Sequence, residues 1–179
     1  ILFIDDCFMD SFDYQLGHQR PVIESKDYFT MLNKYFSFVE EELKVDIVIA
    51  AHPNGLEYDD YSSLFNGRRV VFNETCRLSR DCYFAMTHLS LALHFPILFG
   101  KPIFLLGFDE LDQQLKKNQK TYKKLLGCSR INLSKSKFER LEVPIVSQVK
   151  YSDFVDAYIM DRANYVSETY QPLIKHFQL

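Results

Sequence analysis

Asp46-Ile47-Val48-Ile49-Ala50-Ala51-His52-Pro53-Asn54 is the stretch that decides the fold. Five apolar residues, Ile47 to Ala51, run without interruption and stop at His52-Pro53. A strand buried on both faces reads this way, because helices cover both sides of a parallel sheet. The polar residue after the run then lies at the carboxyl edge of the sheet, where open α/β sheets bind ligands. Pro53 directs the chain and restricts His52 to extended backbone.

Working outward, Ile1–Ile4 is a second apolar run, ending in Asp5-Asp6. Between the two runs, Tyr28, Leu32, Tyr35, Phe36, Val39 and Leu43 recur at helical spacing, with Ser25 as the expected cap. That is a β-α-β unit, whose crossover is right-handed. Residues 7–21 read as a loop. Tyr58, Tyr61, Leu64 and Phe65 suggest a short helix stopped by Gly67. Arg69–Phe72 and Tyr83–Met86 read as strands, with a turn or short helix at Thr75–Ser79. Leu91–Phe99 is apolar nearly all round and predicts a buried helix, bent or ended at Pro96. Ile103–Leu106 is a fifth strand, and Asp109 the expected cap of a basic amphipathic helix reaching Leu126. Beyond Gly127 the pattern weakens. Val143–Val149 reads as strand or loop, Ser152 as a cap, and Tyr170–Phe177 as a final helix. Alternating strands and helices predict a three-layer, Rossmann-like α/β domain with a mostly parallel sheet over residues 1–179.

Composition narrows the function classes. The chain has 179 residues, 47% hydrophobic and 25% charged, with a formal net charge of -3. That balance suits one globular domain and argues against a nucleic-acid partner. The four cysteines form no C-x-x-C pair and have no histidine at ligand spacing, so no metal site is expected and a reduced, cytoplasmic setting is. The longest apolar run, Phe95–Phe108, is broken by Pro96, Gly100, Pro102 and Gly107, too often to span a bilayer. No signal peptide is visible. The chain starts with Ile inside a strand pattern, which suggests a domain excised from a longer two-domain protein. Sixteen Phe and eleven Tyr with no Trp fit either an AT-rich genome or aromatic packing.

Two polar clusters carry the chemistry. His52 at a strand end can donate to a diphosphate or leaving group; the alternative is a structural histidine bonded to a loop carbonyl. Thr87-His88-Leu89-Ser90 stands at a strand-to-helix junction, where unpaired backbone N–H groups and hydroxyls suit a phosphate, or a plain cap. Thr75 follows a strand at the same edge as a third candidate contact. Asp5 and Asp6 could hold Mg²⁺, touch substrate, or cap a turn. They also invite a receiver-domain reading, which fails because Ala50-Ala51-His52 offers no phospho-accepting aspartate. His18 and Arg20, in Gly17-His18-Gln19-Arg20, could reach a phosphate or an acceptor from above. No Gly-rich phosphate loop, G-x-S-x-G elbow or H-E-x-x-H motif is present, which argues against a self-contained hydrolase or NTPase.

The order I-L-F-I-D-D (1–6), A-H-P-N-G (51–55), F-N-G-R-R-V-V-F-N-E-T (65–75) and T-H-L-S-L-A-L-H-F-P-I-L-F-G-K-P-I-F-L (87–105) resembles the carboxyl-terminal domain of GT-B glycosyltransferases. The likeness is to bacterial sialyltransferases, polysialyltransferases and related capsule or lipopolysaccharide enzymes, and it covers roughly residues 1–107. Carried over, His52 and Pro53 match the family's His-Pro motif, with Asn54 beside them. Ser90 matches its Ser/Thr motif, with Thr87 and His88 adjacent. Family members often have two neighbouring hydroxyl residues where this chain has Ser90-Leu91.

The resemblance implies a nucleotide-sugar donor such as CMP-sialic acid, a glycan or glycolipid acceptor, no required metal or other cofactor, and a peripheral association with the inner face of the membrane through the full-length protein. It implies that His52 stabilises the leaving phosphate, and that the acidic general base lies in an amino-terminal domain outside this chain. Two further readings stay open. One is a UDP-sugar epimerase of the same architecture. The other is a non-catalytic interaction domain presenting an aromatic surface such as Tyr58–Phe65.

Overall fold

The computed structural model describes residues 1–8 and 23–159. The predicted loop over His18 and Arg20 and the predicted helix over Tyr170–Phe177 lie outside them. Six strands, β1 (Leu2–Ile4), β2 (Val48–Ala51), β3 (Val70–Phe72), β4 (Ala85–Thr87), β5 (Ile103–Gly107) and β6 (Ser129–Asn132), form one sheet in the order β3-β2-β1-β4-β5-β6. Every pair is parallel. This is the strand order of a doubly wound, Rossmann-like fold, and its direction reverses between β1 and β4.

Alternation along the strands separates two cores. Phe3, Ile49, Met86, Phe104 and Leu106 face α1 (Ser25–Leu43), which contributes Tyr28, Leu32, Tyr35, Phe36 and Val39. On the other face, Leu2, Ile4, Ala50 and Ala85 meet Leu78 of α2 (Thr75–Asp81). Ile103 and Leu105 meet α3 (His94–Leu98), Leu126 of α4 (Gln113–Leu126) and the Tyr151, Phe154 and Val155 side of α5 (Gln148–Tyr158). Three layers result. Phenylalanine and tyrosine are the bulk of the α1-side core, with Phe3–Phe36 and Phe84–Phe104 ring centroids 5.1 and 4.9 Å apart.

Helix ends differ from the expected caps. α1 is preceded by Glu24, and no side chain caps it. Asp112, not Asp109, caps α4, accepting from the N–H groups of Gln114 and Leu115 at 2.8 and 3.0 Å. Asp109 instead accepts from Asn132. Ser147, not Ser152, caps α5. The expected buried helix over Leu91–Phe99 is a 3-10 turn, Leu91–Leu93, followed by the five residues of α3. Pro96 sits within that short helix, and Leu91 is 83% exposed. Val143–Val146 forms no strand; the sixth strand is Ser129–Asn132, at the sheet edge.

Candidate functional site

β2 and β4 flank β1, so the segments after them emerge on either side of Asp5-Asp6 at the carboxyl edge. Two strand spacings place the ends of β2 and β4 about 10 Å apart. This is the crevice at the switch point of the sheet, the usual ligand position in such folds.

On the β2 side, His52 has φ -66° and ψ 145°, the extended backbone that Pro53 demands. Pro53–Glu57 is a 3-10 turn. The Asn54 N–H donates to Nδ1 of His52 at 3.2 Å, so the neutral imidazole carries its proton on Nε2. His52 is half-buried, and its Nε2–H is a donor outside that turn. Gly55 packs under Tyr61: a Cβ there would stand 2.7 Å from the Tyr61 ring. The Tyr61 hydroxyl donates to Asp5 Oδ2 at 2.6 Å, and the His52 N–H donates to the same oxygen at 3.3 Å. Asp5 Oδ1 accepts from the Cys7 N–H at 2.9 Å. Burial pushes the Asp5 carboxyl above its ordinary value, opposed by the Tyr61 hydroxyl and the two backbone donors.

The β4 side is organised by Asp6. Its Oδ1 accepts from the Thr87 hydroxyl and its Oδ2 from the Leu89 N–H, both at 2.9 Å. Thr87 Oγ1 accepts in turn from the Ser90 N–H at 3.0 Å, and Ser90 Oγ accepts from the Ala92 N–H at 3.3 Å. Burial pushes the Asp6 carboxyl up to about 7, against the opposing pull of the Leu89 and Thr87 bonds.

These contacts correct two sequence expectations. Thr87 is fully buried and its hydroxyl bonds Asp6 and Ser90, so it has no free group for a phosphate. His88 is also fully buried. Its Nδ1 lies 2.8 Å from the Leu106 carbonyl, which only accepts, so Nδ1 carries the proton. Nε2 then accepts from the Tyr28 hydroxyl at 2.8 Å. Phe3, Phe8, Tyr28 and Phe108 enclose the ring, and burial lowers its pKa to about 4. His88 is a core histidine, not a ligand contact. The helix N-terminus expected near Leu89 is one 3-10 turn, Leu91–Leu93; the Leu89, Ser90 and Ala92 N–H groups are bonded within the protein, and the Leu91 N–H has no partner among the described residues.

His52, Pro53, Asn54 and Ser90 keep solvent exposure at this edge. Thr75, the half-buried first residue of α2, follows the outer strand β3, two strands from β1. The roles of Asp5 and Asp6 in tying both turns to β1 were not read from the sequence. An acidic pair after a strand signals a polar exit, while its backbone partners are set by the fold. No His, Cys, Asp and Glu group among the described residues could hold a metal ion. No helix among them is long and apolar enough to cross a membrane. Within Tyr58–Phe65, Tyr61 and Phe65 are core residues and Tyr58 is exposed. No protein-family model, curated protein or solved structure matches the chain.

Proposed function

We propose that this chain is the donor-binding domain of a GT-B glycosyltransferase, holding the phosphate of a nucleotide sugar at the β1/β4 crevice. The supporting observation is the placement of His52 and Ser90 on opposite sides of β1 at the switch point, with the His52 tautomer fixed by the Asn54 N–H. A neutral Nε2–H donor offered to a phosphate oxygen stabilises charge that grows as the sugar leaves. The Ser90 hydroxyl accepts from Ala92 and keeps its own proton to donate. Asn54 adds amide donors beside His52. A cytidine monophosphate sugar is the donor that the His-Pro and Ser/Thr motifs favour, with a surface glycan or glycolipid as acceptor.

Calorimetric titration with CMP, UDP and GDP tests this. The reading expects one nucleotide to bind, and His52→Ala to weaken it about ten- to a hundredfold, the scale of a hydrogen bond to a charged group. Absence of nucleotide binding at millimolar concentration, with His52→Ala changing nothing, would sink it.

A further inference from the structure

A cavity on the described surface lies away from that crevice. Its volume is about 520 Å³, within the usual span of small-molecule sites. It runs along β6, all four residues of which contribute to its wall. Among the described residues β6 pairs only with β5, so its other edge leaves backbone N–H and C=O groups along the cavity. Three strand spacings separate β6 from β1, about 15 Å.

The walls have two characters. One is aromatic: Phe138 meets Tyr35 at 4.9 Å and Phe38 at 5.4 Å between ring centroids. The other is cationic, with Lys123, Lys135 and Arg140. Glu139 and Glu142 share the lining, yet none of the three cations is ion-paired among the described residues.

We infer that this cavity binds a phosphate monoester of a ring-bearing alcohol: the ring lies against Phe38 and Phe138, and the phosphate meets Lys123, Lys135 and Arg140. Several unpaired cations suit a dianion better than a single carboxylate. A sugar phosphate and an aryl phosphate share this chemistry, and their relative affinities identify the source.

Titration of the full chain with phenyl phosphate, glucose 1-phosphate, inorganic phosphate and phenol tests the site. One of the two esters should bind with a Kd of about 1 mM or tighter. Phe138→Leu should weaken that ester about three- to tenfold by removing the ring it packs on. Lys135→Glu with Arg140→Glu should weaken it further, whereas His52→Ala should leave it unchanged. Failure of both esters to bind, indifference to all three wall substitutions, or loss of binding in His52→Ala would overturn the assignment. Equal affinity for inorganic phosphate or for phenol would also overturn it, since either the ring or the charge would then have no role.

Discussion

Asp6 and His88 lie near neighbouring strand ends and have pKa values displaced in opposite directions. Asp6 moves from 3.8 to about 7 and His88 from 6.5 to about 4, both chiefly through burial. For Asp6 the folded pKa is the higher one. Its contribution to stability is complete below the unfolded value and is lost as pH rises through about 7. For His88 the folded pKa is the lower one. Its contribution is complete above the unfolded value and is lost as pH falls toward about 4. Between about 4 and 6.5 the folded chain therefore holds a proton on Asp6 and none on His88, while the unfolded chain holds the reverse. The proton counts match, so these two groups together give no slope. Each alone gives about 1.4 kcal/mol per pH unit. Over its window the His88 effect is about 3 kcal/mol; that of Asp6 is about 4 kcal/mol, reduced by its remaining solvent exposure. Asn in place of His88 keeps an amide donor for the Leu106 carbonyl and cannot titrate. Urea unfolding of wild type, His88→Asn and Asp6→Asn across this pH range separates the effects. His88→Asn should lose stability as pH rises, and Asp6→Asn should gain it. A constant loss from the substitution itself shifts the whole curve and leaves its slope intact. Asp5 is displaced in the same direction as Asp6 and keeps its Asp6 neighbour in wild type and His88→Asn, so it drops out of that comparison. Parallel curves for wild type and His88→Asn would refute the assignment of a neutral, buried His88.

Other outcomes follow from single contacts. Gly55→Ala places a methyl 2.7 Å from the Tyr61 ring and should cost about 1–3 kcal/mol in urea unfolding; no change would mean Tyr61 is not fixed against that turn. Arg68 donates to Glu40, Asn33, Ser37 and the Phe65 carbonyl with its side chain 10% exposed. Arg68→Ala should therefore cost about 3–5 kcal/mol by stranding partly buried partners, and Arg68→Lys should recover little of it because the forked geometry is lost; full recovery by lysine would contradict the bidentate role. Under the proposed donor reading, ionised Asp6 about 10 Å from a bound phosphate opposes it by about 1–2 kcal/mol at effective dielectric constants of about 20–40. CMP affinity should then fall about five- to thirtyfold as pH rises past about 7, and titrations of Asp6→Asn should show no such fall.

The sheet was legible wherever a strand is buried on both faces. Ile1–Ile4, Ile47–Ala51 and Ile103–Leu106 are continuous apolar runs because helices cover both sides. β6, Ser129-Arg130-Ile131-Asn132, has one apolar residue in four and was missed; it is a half-buried edge strand, where burial imposes no such run. Caps were misplaced because Ser25, Asp109 and Ser152 are all plausible by type, while a cap also requires its oxygen to reach an N–H two or three residues on. Leu91–Phe99 looked like a long helix because its apolar content is high, but the proline and a separate 3-10 turn leave five helical residues. The extended backbone of His52 could be read because Pro53 fixes it locally. His88 misled because its partners, Tyr28 and Leu106, are 60 and 18 residues away.

The wiring of the crevice bears on how it can hold an anion. In glycine-rich phosphate sites, successive backbone N–H groups at a helix start point at the ligand. Here the Leu89 N–H goes to Asp6, the Ser90 N–H to Thr87, and the Ala92 N–H to Ser90. An internal carboxylate has taken the first of these donors, and among the described residues the Leu91 N–H is the one left without a partner at the start of this turn. A phosphate at this edge would meet the Leu91 N–H and the side chains of His52, Asn54 and Ser90, the motif residues whose polar groups remain available there. Asp5 and Asp6 set their positions by binding the two turns, one acid to each side of β1. The acid pair is thus a framework for the two motifs.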